Sequence, residues 1–196
     1  NTWGTALYLK PIKIGFDMSF CSATKYLSGH SDAMGGTLSV NKKVFRKIMF
    51  FYKLSGYRMS ADEAYLIIRG LRTLDVRLKL HQENTKKVIN FLNRQKRIKE
   101  VLYPHKVSSK NYKLWKKYYS GATGLLSIVI KSKKKSSVLK FVNSLELFGI
   151  GYSWGGFESL ALLQELRKST EYTKGRKYYR FNKDEYIVRL HIGLED

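Results

Sequence analysis

The chain has 196 residues, enough for one ordinary domain or parts of two, and its apolar residues suffice to bury a core. It carries 37 Lys and Arg against 15 Asp and Glu, a net charge of +22. A charge of this size suggests nucleic acid or an anionic membrane surface as a partner. The lysines are spread through every segment, however, and nucleic-acid recognition needs clustered cations. We therefore favour diffuse surface charge and predict no nucleic-acid partner.

Cysteine and histidine usage argues against a metalloprotein. A single cysteine, Cys21, excludes an internal disulfide and a cysteine cluster, and the four histidines are too far apart for a short ligand motif. We predict that Cys21 is a buried strand residue rather than a nucleophile. No apolar run approaches the length of a membrane span, and the N-terminus lacks the regions of a signal peptide. We expect no metal, no membrane partner and a reducing, cytoplasmic location.

The first predicted elements surround one lysine-containing segment. Phe16, Met18 and Phe20 alternate with polar residues, which predicts a strand leading into residues 22–32, SATKYLSGHSD. A helix is predicted over 41–55. Ser60 to Glu63 has the spacing of a capping box, and the apolar stripe behind it, which includes His81, predicts one long helix bent at Gly70.

Later elements alternate between strands and helices. Strands are predicted at 101–103, 125–130 and 186–192, and helices at 112–118 and 136–147. The lysine-rich run at 131–135 is interpreted as a solvated turn between a strand and a helix. This order, without internal repeats, predicts an α/β or α+β fold.

Lys25 stands among hydroxyls, small residues and glycine, whereas nearly every other lysine stands among charges and helix formers. An extended backbone would place Ser22 and Thr24 on one face and Lys25 on the other. The hydroxyls could then hold a phosphate, while the lysine amine, its pKa lowered by burial, acts as a nucleophile. A surface lysine at a strand end beside turn formers explains the same spacing, so spacing alone leaves both interpretations open.

Residues 22–36, SATKYLSGHSDAMGG, resemble the lysine segment of the Cys/Met-metabolism family of pyridoxal-phosphate (PLP) enzymes. Four further segments fall in the family's order and near its spacing: NTW at 1–3, ADEAYLIIRGLRTLDVRLKLH at 61–81, YSWGGFESL at 152–160 and RLHIGLED at 189–196. The resemblance therefore covers essentially the whole chain. Trp154 and the RLHIGLED segment lean toward members that act at the substrate β-carbon, because members acting at the γ-carbon usually carry Leu where this chain has Trp154.

The resemblance implies an α/β fold of the aspartate-aminotransferase type (fold type I). Residues 1–71 would be the end of the large cofactor domain, and residues 72–196 the small C-terminal α/β domain without its final helix. In the family an aspartate that pairs with the pyridine nitrogen immediately precedes NTW, so we expect the C-terminal part of such an enzyme. The very basic stretch 168–184 does not align with the family pattern.

The resemblance also implies roles for seven residues. The cofactor would be carried covalently by the Lys25 amine and contacted by Ser22, Thr24 and, more weakly, Thr2; the substrate α-carboxylate would be bound by Ser153 and Arg189 in a pocket shaped by Trp154. The strand period places Arg189 on the same face as His191. Without the resemblance, that period would favour an exposed strand arginine.

The implied reaction is PLP-dependent β-elimination of an amino-acid substrate, cystathionine, to homocysteine, pyruvate and ammonia. The complete enzyme is expected to be a homo-oligomer, a tetramer built from dimers. The alternatives are a γ-lyase, a γ-synthase or a methionine γ-lyase of the same family, or an inactive fragment. We expect residues 1–196 alone to be inactive.

Overall fold

The computed structural model describes residues 1–164 and 182–195. The strands are β1 (Met18–Ser22), β2 (Gly36–Val40), β3 (Ile98–Leu102), β4 (Leu125–Lys131), β5 (Gly149–Ile150), β6 (Leu160–Gln164) and β7 (Glu185–His191). The helices are α1 (Thr5–Tyr8), α2 (Lys42–Ser55), α3 (Ala61–Leu71), α4 (Leu74–Leu92), α5 (Tyr112–Tyr118) and α6 (Lys135–Asn143), with a 3-10 turn at Pro11–Ile14 and a π-helical turn at Ala23–Leu27. The mixed α/β composition agrees with the prediction.

A five-stranded sheet in the order β3-β4-β7-β6-β5 forms the second half of the chain. Its neighbouring strands are antiparallel except for the parallel pair β5 and β6. Val188 and Leu190 of β7 join the main apolar cluster with residues of α4 and α6, which cover that face. Because side chains alternate along a strand, Arg189 and His191 lie on the opposite face, as predicted.

β1, before the lysine segment, and β2, after it, form a separate two-stranded antiparallel sheet. Cys21 on β1 is buried, as predicted. The extended backbone before Lys25 that the sequence analysis considered is not present, since the chain turns immediately after Ser22. Two amides explain the turn: the N–H groups of Ala23 and Thr24 both donate to the Gly35 carbonyl, at 2.8 and 3.3 Å.

The predicted single helix bent at Gly70 is two helices, α3 and α4, separated by two residues. The Arg77 guanidinium donates to the Gly70 carbonyl at 2.7 Å and to Thr73 Oγ1 at 3.0 Å, which stabilises the break. Gly70 does not bend a helix. It allows α3 to pack closely against the lysine segment, because a Cβ there would lie 2.2 Å from the Ser28 carbonyl oxygen. The predicted N-terminus of α3 is confirmed: Ser60 Oγ accepts the Glu63 N–H at 3.2 Å.

The other predicted elements are present with shifted ends. α5 has the predicted bounds, whereas α6 ends at Asn143 rather than at 147, and the lysine-rich run joins β4 to α6. Most of the basic stretch 168–184 lies outside the described residues. In the part of the chain that is described, no helix is both long and apolar enough to cross a membrane. The same residues contain no group of three or more His, Cys, Asp or Glu side chains placed to hold a metal ion.

Candidate active site

Lys25 lies in the middle of the π-helical turn, with a backbone conformation that is not helical (φ −90°, ψ −125°). Its Nζ donates to Ser153 Oγ at 2.7 Å and lies 5.6 Å from the centre of the Trp154 ring. Burial, and then the positive charge of Arg189, lower the pKa of Lys25 below the usual lysine value. This amine therefore loses its proton more readily than a surface lysine.

Three hydroxyl residues predicted to contact a cofactor lie together at the start of the turn. Thr2 Oγ1 accepts the Ser22 N–H at 2.9 Å, which ties the N-terminal residues to the end of β1. Thr24 Oγ1 accepts the Gly35 N–H at 2.9 Å and donates to the Gly35 carbonyl at 3.3 Å. The structure thus brings Thr2, Ser22 and Thr24 to the same end of the lysine segment.

The predicted substrate residues meet Lys25 from the other half of the chain. Arg189 Nη2 donates to the carbonyls of Gly151, Tyr152 and Ser153, at 3.1, 2.6 and 3.3 Å. These bonds hold the loop 151–156, which carries Ser153 and Trp154, beside β7. Lys25, Ser153, Trp154 and Arg189 are therefore neighbours, although 128 residues separate Lys25 from Ser153.

Tyr26 packs against Trp154 from the protein interior and was not predicted as a site residue. Its side chain is fully buried, and its ring contacts Trp154, His81 and His191 at centroid distances of 5.6, 5.3 and 5.8 Å. Its hydroxyl oxygen accepts the Gly124 N–H at 3.0 Å. Signals in the sequence pointed only to its two histidine neighbours: His81 lies in the apolar stripe of the predicted helix, and His191 shares a strand face with Arg189.

Arg77 is a second residue that the sequence analysis missed. It is buried, and Nη1 donates to the Tyr26 carbonyl at 3.0 Å, directly behind Lys25. Gly29 makes room for this guanidinium, since it has φ +69° and a Cβ there would lie 2.0 Å from Arg77 Nη1. Burial lowers the pKa of Arg77, and its bonds to backbone carbonyls compensate for lost hydration.

Comparison with known proteins places this geometry in context. The family described as Cys/Met metabolism PLP-dependent enzyme matches residues 1–196. Over 197 residues the chain is 38% identical to cystathionine beta-lyase MetC of Escherichia coli, covering 100% of this chain and 49% of that relative. Over 197 residues it is 36% identical to L-alanine/L-glutamate racemase of Wolbachia pipientis, covering 100% of this chain and 48% of that relative.

A solved structure shows the same fold. Cystathionine gamma synthase from Xanthomonas oryzae pv. oryzae in complex with cystathionine superposes with a TM-score of 0.88 at 28% identity, covering 100% of this chain and 50% of that chain. The chain thus spans about half the length of the relatives it matches.

Proposed function

We propose that this chain, which belongs to the Cys/Met metabolism PLP-dependent enzyme family, is part of a carbon–sulfur β-lyase that cleaves cystathionine to homocysteine, pyruvate and ammonia. The cofactor of this family is PLP. The observation that carries the proposal is the contact of the Lys25 amine with Ser153 and Trp154, on the loop held by Arg189. The choice of the β-carbon is supported by Trp154, where members acting at the γ-carbon usually carry Leu, and is consistent with the 38% identity to the Escherichia coli β-lyase.

The residues around Lys25 fit PLP. Thr24 Oγ1 accepts the Gly35 N–H, and the Gly35 carbonyl has a second and shorter bond from the Ala23 N–H at 2.8 Å. The Thr24 hydroxyl proton can therefore turn to a phosphate oxygen without leaving that carbonyl unpaired. The Thr2 oxygen likewise accepts the Ser22 N–H, and its hydroxyl also bonds the Cys21 side chain. We propose that Thr2, Ser22 and Thr24 contact the cofactor.

PLP supplies an electron sink that weakens the bonds at the substrate Cα. We propose that the Lys25 amine would carry the cofactor until the substrate amine displaces it, and that the freed amine would then take the Cα proton. A general base must be unprotonated when it acts, and the lowered pKa of Lys25 increases the share of that form. Ser153 Oγ holds the amine in place at 2.7 Å.

Arg189 and Ser153 are proposed to bind the substrate α-carboxylate, beside Trp154. Within residues 1–164 and 182–195, the Arg189 guanidinium makes hydrogen bonds only through Nη2. Nε and Nη1 remain, and because they point to different sides of the guanidinium each can donate one charge-assisted bond to the substrate carboxylate. One group thus both orients the loop and presents a cation to the substrate.

Replacing Arg189 with Lys should raise KM for the amino-acid substrate about 10- to 150-fold, since a charged hydrogen bond is worth about 1.5–3 kcal/mol. The absorbance of bound PLP should persist, because Lys25 and the hydroxyls are unchanged. Steady-state kinetics and a visible spectrum of the complete protein measure the two effects. The exposed Arg94→Lys serves as the matched control. Loss of PLP with unaltered KM would contradict the role.

The product separates the candidate activities. Assayed with cystathionine, the complete protein should release pyruvate, whereas a γ-lyase, one of the alternatives, would release 2-oxobutyrate. One relative is named as a racemase of L-alanine and L-glutamate. Formation of a D-amino acid from either substrate is therefore a third outcome to measure. Sustained 2-oxobutyrate or D-amino acid without pyruvate would overturn the β-lyase proposal while leaving the family intact.

The remaining properties of the complete protein are proposals. We propose a domain limit between residues 71 and 72, where α3 ends and two residues separate it from α4. We propose a homo-oligomer in the cytoplasm, where the free thiol of Cys21 would stay reduced. The scattered lysines favour no nucleic-acid partner.

A further inference from the structure

The loop 151–156 is hydrogen-bonded to β7 on both sides of Trp154. Arg189 holds its first part through the three carbonyls, and His191, two residues further along β7, contacts its second part. Because residues i and i+2 share a face of a strand, both side chains reach the loop from the same side. A single strand therefore fixes the segment that presents Ser153 and Trp154.

His191 Nε2 contacts two groups of the loop. It lies 3.0 Å from the Gly155 nitrogen, a donor, and 3.1 Å from the Gly156 carbonyl oxygen, an acceptor. An imidazole nitrogen without a proton accepts, and one with a proton donates. Whichever ring nitrogen carries the proton, Nε2 binds the Gly155–Gly156 backbone.

Gly155 packs directly on the lysine segment. It has φ +86°, and a Cβ there would lie 2.9 Å from both Lys25 Cβ and the Tyr26 nitrogen. No side chain separates the loop from the π-helical turn at this point. A shift of Gly155 would therefore change the position of Ser153 and Trp154 relative to the Lys25 amine.

The environment of His191 keeps its ring uncharged. The side chain is 1% exposed, and burial lowers its pKa to about 4; the Gly156 carbonyl and Glu195 oppose this effect, while Arg189 and Lys25 add to it. At neutral pH the ring therefore adds no third cation beside Lys25 and Arg189. The His81 ring packs against it at a centroid distance of 5.2 Å.

We propose that His191 is a positioning residue for the Lys25 site: through Nε2 it holds the Gly155–Gly156 backbone against the lysine segment and so sets where Ser153 and Trp154 stand. This inference rests on the proposed function, in which those two residues meet the substrate. His191 itself contacts the loop and not the reacting atoms.

The test compares two substitutions in the complete protein. His191→Leu removes Nε2 at similar volume and should raise KM for the amino-acid substrate about 10- to 100-fold, the range expected when a buried backbone group loses its partner. The PLP absorbance should persist. His191→Gln retains a terminal group that accepts or donates, and should restore KM to within about threefold of the wild type.

His81→Leu is the matched control. This histidine is equally buried but bonds through Nδ1 to the Ile192 carbonyl at 2.7 Å, with no hydrogen bond to the loop. The substitution should lower the unfolding temperature and leave KM within about threefold of the wild type. An equal rise of KM in His81→Leu and His191→Leu would mean general loosening and would overturn the proposal, as would an unchanged KM in His191→Leu.

A second readout needs neither PLP nor turnover. Acetic anhydride labelling of the cofactor-free protein, followed by mass spectrometry of the Lys25 peptide, measures access to the amine. His191→Leu should speed labelling of Lys25 about tenfold, because a freed loop no longer covers it, and His191→Gln should match the wild type. Equal labelling rates in all three proteins would overturn the proposal. Failure of the wild type to bind PLP would instead reject the proposed function.

Discussion

Replacing Lys25 with Ala is expected to remove the visible absorbance of covalently carried PLP and to lower kcat for elimination at least about a thousandfold. Among the described residues, the Lys25 amine is the one that contacts both Ser153 and Trp154. The two roles proposed for Lys25, carrying the cofactor and moving the Cα proton, both need an amine at this position. Spectra and pyruvate release by the purified complete protein measure both losses.

The Lys25→Arg variant tests whether the positive charge of Lys25 alone is sufficient for activity. The guanidinium keeps the positive charge near Ser153, but it stays protonated and can act neither as a nucleophile nor as a base. The loss should therefore be as large as in Lys25→Ala. Lys79→Ala, which removes an exposed lysine paired with Asp75, should behave as the wild type. Unchanged elimination by Lys25→Ala would reject Lys25 as the catalytic lysine.

The fold could be predicted from the sequence where local patterns decide the structure. The α5 bounds, the cap at Ser60 and the two faces of β7 follow from periodicity and capping alone. The break between α3 and α4 was not predicted, because the Arg77 guanidinium that binds the Gly70 carbonyl beside it also binds the Tyr26 carbonyl, 51 residues away in sequence. Contacts of this kind require the folded chain.

Seven residues of the candidate site were proposed from the sequence, whereas their geometry could not be. The resemblance of residues 22–36 to a known family selected Lys25, Ser22 and Thr24, whereas the period suggested an extended backbone that the Gly35 carbonyl prevents. His191 was placed correctly on the face of Arg189. That it reaches Gly155 could not be known, since the contact depends on a loop with a left-handed glycine. The roles of the seven residues remain predictions.

The last prediction concerns the surface that the 196 residues leave exposed. Phe16 and Phe20, before and on β1, are 58% and 59% exposed, and Phe50 and Phe51 of α2 are 68% and 64% exposed. Exposed apolar surface of this kind marks an interaction site or causes aggregation, and a sheet of two strands is only marginally stable. Together with the half-length match to the relatives, this favours a chain that needs a further polypeptide segment to cover it.

Residues 1–196 alone, with excess PLP and cystathionine, are therefore expected to release no pyruvate. The resemblance implies that several contacts to the cofactor ring and phosphate lie outside these residues, and each charged hydrogen bond lost is worth about 1.5–3 kcal/mol. Two or three such losses weaken PLP binding by orders of magnitude. The measurement is pyruvate release by the purified 196-residue chain, repeated after adding a second polypeptide that supplies the half of the relatives' length not spanned here. Activity only on mixing would support a two-part enzyme, and sustained turnover by the chain alone would contradict the prediction.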